Sequence, residues 1–499
     1  MKKKVFLNII FTVLCQVTTI VSGLIVPRLL LSTFGSEVNG LVSSLTQFLN
    51  YIALLEGGLG SVVLTALYSP LANKDNTKMS AVLAAANRFF RQIAYFFLAY
   101  VLVLGCVYSV IVKTNFSWPF VFVLTIVLAI SLFIQYFFSI TYKLLLQADH
   151  KMYIVQIVQI IITIINLLVV CIVVNLFPNV VILKLCSALL FVIQPIVYSK
   201  YIEKRYTIIK KVAPDKDALA QRWDCFGQNF AFFIHNNTDV VVLTFFTNLR
   251  LVSVYSVYSL VVNQIRNFFS AFSNAFTPML GKEIAKNDRE KATQVLGIYE
   301  FVVYFVATII FGCCIYLLPN FVLIYTNGIR DVNYYRPFFS AILVMAEFVY
   351  CIRQPYIAVV YSAGGFRQTA ISAYIEAILN IVLSTIFVFF WNLEGIAVGT
   401  LVGMVYRMIY QVVYISKHII YRPICFFIKR IALSGLIMGV SLFIVFNICN
   451  LKAYSIFSWL INGIICMLIF TVVSFVMNFV FEKELLTELW KMFLGRRKK

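Results

Sequence analysis

Charge is the scarcest commodity in this chain. Only 12% of its 499 residues are Asp, Glu, Lys or Arg, just 20 are acidic and three are His. No hydrophilic stretch is long enough to build a water-soluble domain of ordinary size, because 62% of the residues are hydrophobic. The phosphate-loop pattern GxxxxGK[ST] is absent, which removes the commonest nucleotide site. The 11 Cys form no CxxC pair and follow no metal-ligand spacing. Nearly all lie in apolar stretches, Cys313 and Cys314 side by side, so they read as small apolar residues rather than ligands or disulfides.

What the chain has in abundance is apolar runs long enough to cross a bilayer. In hydrocarbon every backbone N–H and C=O must be paired within its own segment, so a crossing takes roughly 20 apolar residues in a helix. Fourteen such runs are present, at about 5–31, 38–68, 89–112, 118–142, 152–174, 178–199, 224–247, 251–280, 293–318, 337–362, 368–391, 394–416, 424–449 and 455–480. The fold class expected is all-α, integral to a membrane, with about 14 transmembrane helices. The first run is too long for a signal peptide and lacks a small-residue cleavage site, so it reads as retained.

Lys and Arg accumulate on the cytoplasmic side of short loops. Here thirty-one of the 41 basic residues fall in alternate connections, from Lys2, Lys3 and Lys4 to Lys498 and Lys499, and the longest such connection spans 200–222. The opposite connections hold only Arg28, Lys113, Arg250, Arg330, Arg336 and Lys452. Both termini are therefore expected on the cytoplasmic side. A net charge of +21 spread over eight such segments, without an aromatic-basic platform, points to anionic membrane lipid and topology control and away from nucleic acid.

The chain also repeats itself. Residues 71–83 read LANKDNTKMSAVL and residues 284–296 read IAKNDREKATQVL, 213 positions later, with Asp75 matching Asp288 and Lys78 matching Lys291. Asn50 meets Asn263 and Ser43 meets Ser256 at the same offset, and a second echo sets 148–166 against 363–380 with one residue of slippage. Six runs separate equivalent positions. Six is even, so the halves keep one orientation and form parallel repeats, the arrangement of alternating-access carriers. The expected division is a six-helix lobe over 1–200, a cytoplasmic connection over 201–223, a second six-helix lobe over 224–418, and an appended helix pair with a basic tail over 419–499.

The segment PRLLLSTFGSEVNGL at 27–41 resembles the opening signature of Wzx-type polysaccharide repeat-unit flippases, and 239–255 is similar to the start of their second lobe, with Ser253 where Gly is usual. These flippases share a superfamily with multidrug and toxin extruders and lipid II flippases. The resemblance covers the first twelve runs. It implies translocation of a polyprenyl-diphosphate-linked oligosaccharide across a bacterial cytoplasmic membrane, no enzymatic activity, no bound cofactor, and association with polymer-assembly proteins as an open expectation.

Ionisable side chains deep in a membrane are costly and usually face a cavity or a partner. Arg266, Arg353 and Arg407 lie at such depths in the eighth, tenth and twelfth runs, as do Glu56, Asp239, Glu347 and Glu376. Arg offers planar, permanently charged donors suited to a diphosphate. The candidate substrate-binding set is thus Arg266, Arg353, Arg407, Asn263 and Glu376. The alternative is structural pairing, which suits Arg353 and Glu376 best because they stand at equal depth on adjacent antiparallel runs. Arg407 has no acid on a neighbouring turn of its own helix and is expected to await an anion. In the seventh run His235 and Asp239 share a helical face with Gln228, a candidate for proton coupling, or with Asn236 for Na⁺, or merely a polar lining. Glu56, just before GGLGS at 57–61, is either a gate or cation site or a consequence of close packing. Pro355 should kink the tenth run two residues past Arg353. The other readings are an ion-coupled drug or metabolite exporter, which three buried arginines disfavour, and a membrane glycosyltransferase or polymerase, for which no long external loop is present.

Overall fold

Apolar side chains make these runs helical, and Gly, Pro, Asn and Asp decide where they stop. The structure is a computed structural model that describes residues 2–56, 59–112, 114–209, 212–215, 233, 237–286, 288–449 and 455–483. Every regular element among them is a helix, and the contacts divide the chain into two compact units, Met1–Ser253 and Val254–Lys499.

The first unit begins with α1 (Lys2–Leu49), two helices joined at Gly35, whose φ of 80° lies in a region that side chains with a Cβ avoid. Then come α2 (Ile52–Glu56), α3 (Leu59–Asn73), α4 (Asn76–Ile111) and α5 (Trp118–Ile134). A π-helical turn, Gln135–Ser139, links α5 to α6 (Ile140–Ala148). The unit continues through α7 (Met152–Leu176), α8 (Val180–Leu190), α9 (Ile193–Arg205) and α10 (Asn237–Phe246). Its core gathers Phe90, Phe97, Leu145, Leu146 and Ile202.

α11 (Leu249–Ala285) leads into the second unit, which contains α12 (Arg289–Tyr325), α13 (Pro337–Ile352), α14 (Gln354–Ser362), α15 (Phe366–His418), α16 (Cys425–Ile448) and α17 (Ile456–Phe481). α12 packs on α13, α16 and α17, and α13 packs on α15. Among the described residues ten helical stretches are long and apolar enough to cross a membrane. Two of these run to 51 residues: Gln368–His418 holds the eleventh and twelfth expected runs, and Phe6–Glu56 holds nearly all of the first and the beginning of the second, which continues into α3. α11 supplies the eighth run, and α10 is the described part of the seventh.

Large apolar side chains such as Phe443, Phe457, Val110 and Val480 remain outward-facing, as expected of helices bathed in hydrocarbon. The repeated motif folds the same way twice. Asp75 caps α4 by accepting from the Lys78 N–H at 2.9 Å, and Asp288 caps α12 by accepting from the Lys291 N–H at 3.1 Å. The hydrogen bond from the Lys291 ammonium holds the Asp288 carboxyl below its ordinary range. In the second echo, α6 and α14 both end near a residue with positive φ, His150 at 52° and Gly364 at 70°.

Candidate functional site

Two breaks in the helices of the second unit bring its buried charges together. α13 stops at Ile352 and α14 starts at Gln354, with Pro355 in its first turn, so Arg353 sits at the junction, as the position of Pro355 implies. The second break is at Asn392, with φ 47° and ψ −118°, where α15 folds back on itself. Its two arms run antiparallel: Asn380 donates to Thr400 at 2.8 Å, and the Ser384 hydroxyl donates to the Ile396 carbonyl at 3.2 Å.

The close approach of those arms has a cause in the sequence. Gly395, Gly399 and Gly403 recur every four residues, which places them on one helical face. A Cβ at Gly399 would collide with Ser384, and one at Gly403 would lie 3.3 Å from the Glu376 carbonyl oxygen. Arg407 is the next residue of the same stripe. Instead of a bare backbone it presents a guanidinium, and this donates to Glu376 across the hairpin.

Glu376 thus accepts from Arg353 through Oε1, at 2.7 Å, and from Arg407 through Oε2. The pairing expected for Arg353 is present. Arg407 has no acid on a neighbouring turn, as expected, but the alternative of pairing across helices is the one seen: its carboxylate comes from the preceding arm of α15, which the fold at Asn392 lays alongside it. Glu376 is fully buried, Arg353 is 2% exposed and Arg407 8%. Ion pairs buried to this extent must offset a desolvation cost of several kcal/mol per ion, so the geometry and the number of donors decide whether they hold. Here the Nε atoms of both arginines have no hydrogen-bond partner among the described residues.

Arg266, on α11, extends this group. It reaches Glu347 of α13 at 3.3 Å, and its guanidinium lies over the Tyr350 ring at 5.6 Å. Arg353 faces the same ring at 5.3 Å, so one tyrosine serves two cations. Among the described residues these three ion pairs join three guanidiniums to two carboxylates, so arginines outnumber acids within the pairs named. Asn263 is half-buried one turn before Arg266 on α11. An assembly of this kind can accept an anion by exchanging a carboxylate contact for a phosphate contact, because guanidinium binds both in the same forked geometry.

Two of the expected acids, Glu56 and Asp239, lie in the first unit. Glu56 ends α2 and accepts from the Tyr136 hydroxyl at 3.0 Å, within the π-helical turn. Asp239, on α10, is 5% exposed. Near it Gln47 donates to Asn237, and a chain of hydroxyls runs from Tyr108 to Ser44 and on to Thr244, each step 2.8 Å. His235, Asn236 and Gln228 lie outside the described residues, as do Gly57 and Gly58, so the expected His235–Asp239 pair lies there too.

A second ionic cluster has no counterpart in the sequence expectations. Glu300 of α12 accepts from Arg422, in the turn before α16, and from Arg430 of α16, while Glu482 after α17 approaches Arg430 at 3.4 Å. Two acids here match two arginines. The cluster ties the last two helices to α12. Glu300 escapes a hydropathy reading because it stands only two turns inside its run, and Arg422 and Arg430 count as ordinary loop charges.

No family model and no curated protein matches the sequence. Solved structures do match in shape. Lipid II flippase MurJ in an inward closed conformation superposes with a TM-score of 0.74 at 15% identity, covering 96% of this chain and 100% of that one. An inward-facing multidrug resistance MATE family transporter of the MOP superfamily gives a TM-score of 0.63 at 13% identity, over 80% and 94%. The eukaryotic MATE transporter AtDTX14 gives 0.61 at 13% identity, over 83% and 95%. The chain therefore has the all-α fold of these membrane transporters.

Proposed function

We propose that this chain is a flippase of the same superfamily, of the polysaccharide repeat-unit type, and that it moves a polyprenyl-diphosphate-linked oligosaccharide across a bacterial cytoplasmic membrane by alternating access. The observation that carries this reading is the buried set of Arg266, Arg353 and Arg407, in which arginines outnumber carboxylates. Its chemistry suits a lipid with an anionic headgroup, and the MurJ neighbour is itself a lipid flippase. Glu376 pairs with the two guanidiniums and positions them until the diphosphate competes for them, so the substrate enters a site already paired. The reaction makes and breaks no covalent bond. Both termini lie in the cytoplasm, an H⁺ or Na⁺ gradient supplies the driving force through Asp239, His235 and Glu56, and proteins of polymer assembly receive the product.

A second reading, extrusion of a drug or metabolite, is favoured by the likeness to MATE transporters and by the carboxylates of the first unit. The excess of arginines over acids in the pairs named weighs against an organic cation there. Accumulation of untranslocated lipid-linked oligosaccharide in cells separates the two. Arg407→Ala should arrest translocation while the protein remains inserted at normal level, Arg407→Lys should impair it in part, and Arg407→Glu should be worst. Full translocation by an inserted Arg407→Ala protein would remove Arg407 from substrate binding.

A further inference from the structure

The second unit contains a polar cavity of about 510 Å³ at the end where its basic connections lie, bordered by Asp288, Arg289, Gln368, Tyr414 and His418. It is separate from the buried arginines. Along α15, Gln368 precedes Glu376 by eight residues and His418 follows Arg407 by eleven, so the cavity lies about 12–16 Å away in the helix direction. That places it where the apolar helices end, at the level of lipid headgroups rather than of acyl chains.

The repeat shows that the cavity is not an automatic product of the fold. In the first unit the matching recess, beside α4 and the α6–α7 turn, is occupied by the chain that follows α9. There Tyr206 donates to Asp149 at 2.6 Å, the Ile209 N–H donates to the Ser80 hydroxyl at 3.0 Å, and the Asp215 N–H donates to the Ala81 carbonyl at 3.2 Å. In the second unit the chain that follows α15 turns away instead. Tyr421, with φ 58°, redirects it into α16, and among the described residues no counterpart of Tyr206 or Ile209 enters the recess.

The lining also favours one sign of ligand. Its one carboxylate, Asp288, is committed to the Lys291 N–H and to the Lys291 ammonium at 2.8 Å. Arg289 is exposed and lies over the Tyr421 ring at 4.6 Å. His418 is exposed and packs on Tyr414 at 4.9 Å, at the foot of a ladder formed with Tyr410 and Tyr406. A forked cation, an imidazole and an amide around one cavity suit a phosphate group, and the aromatic rings beside them suit the glycerol and first methylenes of a lipid.

We infer that this cavity is a binding site for the phosphodiester headgroup of an anionic phospholipid, distinct from the site that handles the transported molecule. Held there, the lipid bridges α12 and both ends of α15, so the composition of the surrounding leaflet bears on the hairpin that carries Glu376 and Arg407.

The test uses the purified full-length protein in nanodiscs of phosphatidylcholine with a minority of phosphatidylglycerol, and native mass spectrometry counts the phosphatidylglycerol retained. Arg289→Gln combined with His418→Gln should lower retention roughly fivefold or more, Gln368→Glu should lower it by adding a like charge, and Arg289→Lys should keep part of it. Lys204→Gln, an exposed basic residue of the first unit, should leave it unchanged. Thermal melting of each variant identifies any that has lost its fold, and Arg289→Lys and Gln368→Glu supply the comparison if the double variant is one of those. Wild-type retention by the folded double variant, or an equal loss in Lys204→Gln, overturns the site. Displacement of the lipid by millimolar inorganic phosphate overturns the assignment to a lipid and makes the cavity a free-anion site.

Discussion

When the 214-residue offset at which the second echo ends is carried back along the chain, residue 136 of the first unit aligns with 350 of the second, 139 with 353 and 162 with 376. The first pair is tyrosine in both. Tyr136 donates its hydroxyl to the Glu56 carboxylate, whereas Tyr350 offers its ring to the guanidiniums of Arg266 and Arg353. At the other two pairs the first unit has Ser139 and the buried Ile162, while the second has Arg353 and Glu376 ion-paired. At these positions one helical plan therefore carries no charge in its first copy and an ion pair in its second. The difference teaches that the helical plan does not itself require charge at these positions, because the first unit packs there without any.

The largest effect should come from Glu376→Ala. It strips the shared carboxylate from two buried guanidiniums, and uncompensated buried charge of this kind typically costs about 3–5 kcal/mol. Thermal melting in detergent should fall steeply, and much of the protein should fail to reach the membrane. The matching change in the first unit, Ile162→Ala, removes only apolar contacts and should cost about 2–4 kcal/mol. If Glu376→Ala melts no lower than Ile162→Ala, the ionic group is not what holds the second unit together there.

Next in size is Gly399→Leu. Its side chain would be driven into Ser384, and overpacking of this sort costs about 1–3 kcal/mol. Since Arg407 lies two turns further along the same stripe, transport should fall more than stability does, as read by translocation per inserted molecule. Equal losses of both would mean that the glycines serve packing alone.

The carboxylates of the first unit are probed by Asp239→Asn and by Glu56→Gln. Either should leave the protein inserted while removing the dependence of transport on a pH or Na⁺ gradient in reconstituted vesicles. Gradient dependence that survives both would reduce the carboxylates of the first unit to structure.

The smallest effect expected is at the repeated cap. The Asp288 carboxyl is depressed below the ordinary value of about 3.9. Its contribution is therefore fully present above that value and is lost as pH falls through the lower, folded one. The melting difference between wild type and Asp288→Ala should persist at neutral pH and vanish in strong acid. A difference that grows on acidification would contradict the cap.

How much of this was legible in the sequence varied with the range of the interaction involved. Apolar length is a local property, so the fourteen runs could be read directly, and the caps at Asp75 and Asp288 are visible as a repeated motif. The Arg353–Glu376 pair was legible because both stand at equal distance from the same end of neighbouring helices. The Arg407–Glu376 contact crosses the fold at Asn392, which no count along one helix reveals. A signal for it was nonetheless present: Gly395, Gly399, Gly403 and Arg407 form one stripe, and a stripe of small residues faces another helix. The four-residue cluster around Glu300 was not legible at all, because its partners come from three separate elements and its arginines look like topology signals.

The central claim is that the arginines of the second unit recognise a diphosphate. The direct measurement is the thermal stabilisation of the purified protein by a polyprenyl diphosphate, set against the uncharged polyprenol of the same length, in wild type and in Arg407→Ala. The account predicts that the diphosphate stabilises the wild type, that the polyprenol does so weakly, and that Arg407→Ala removes the difference. Equal stabilisation by the two lipids, or an undiminished preference for the diphosphate in a folded Arg407→Ala protein, would contradict it.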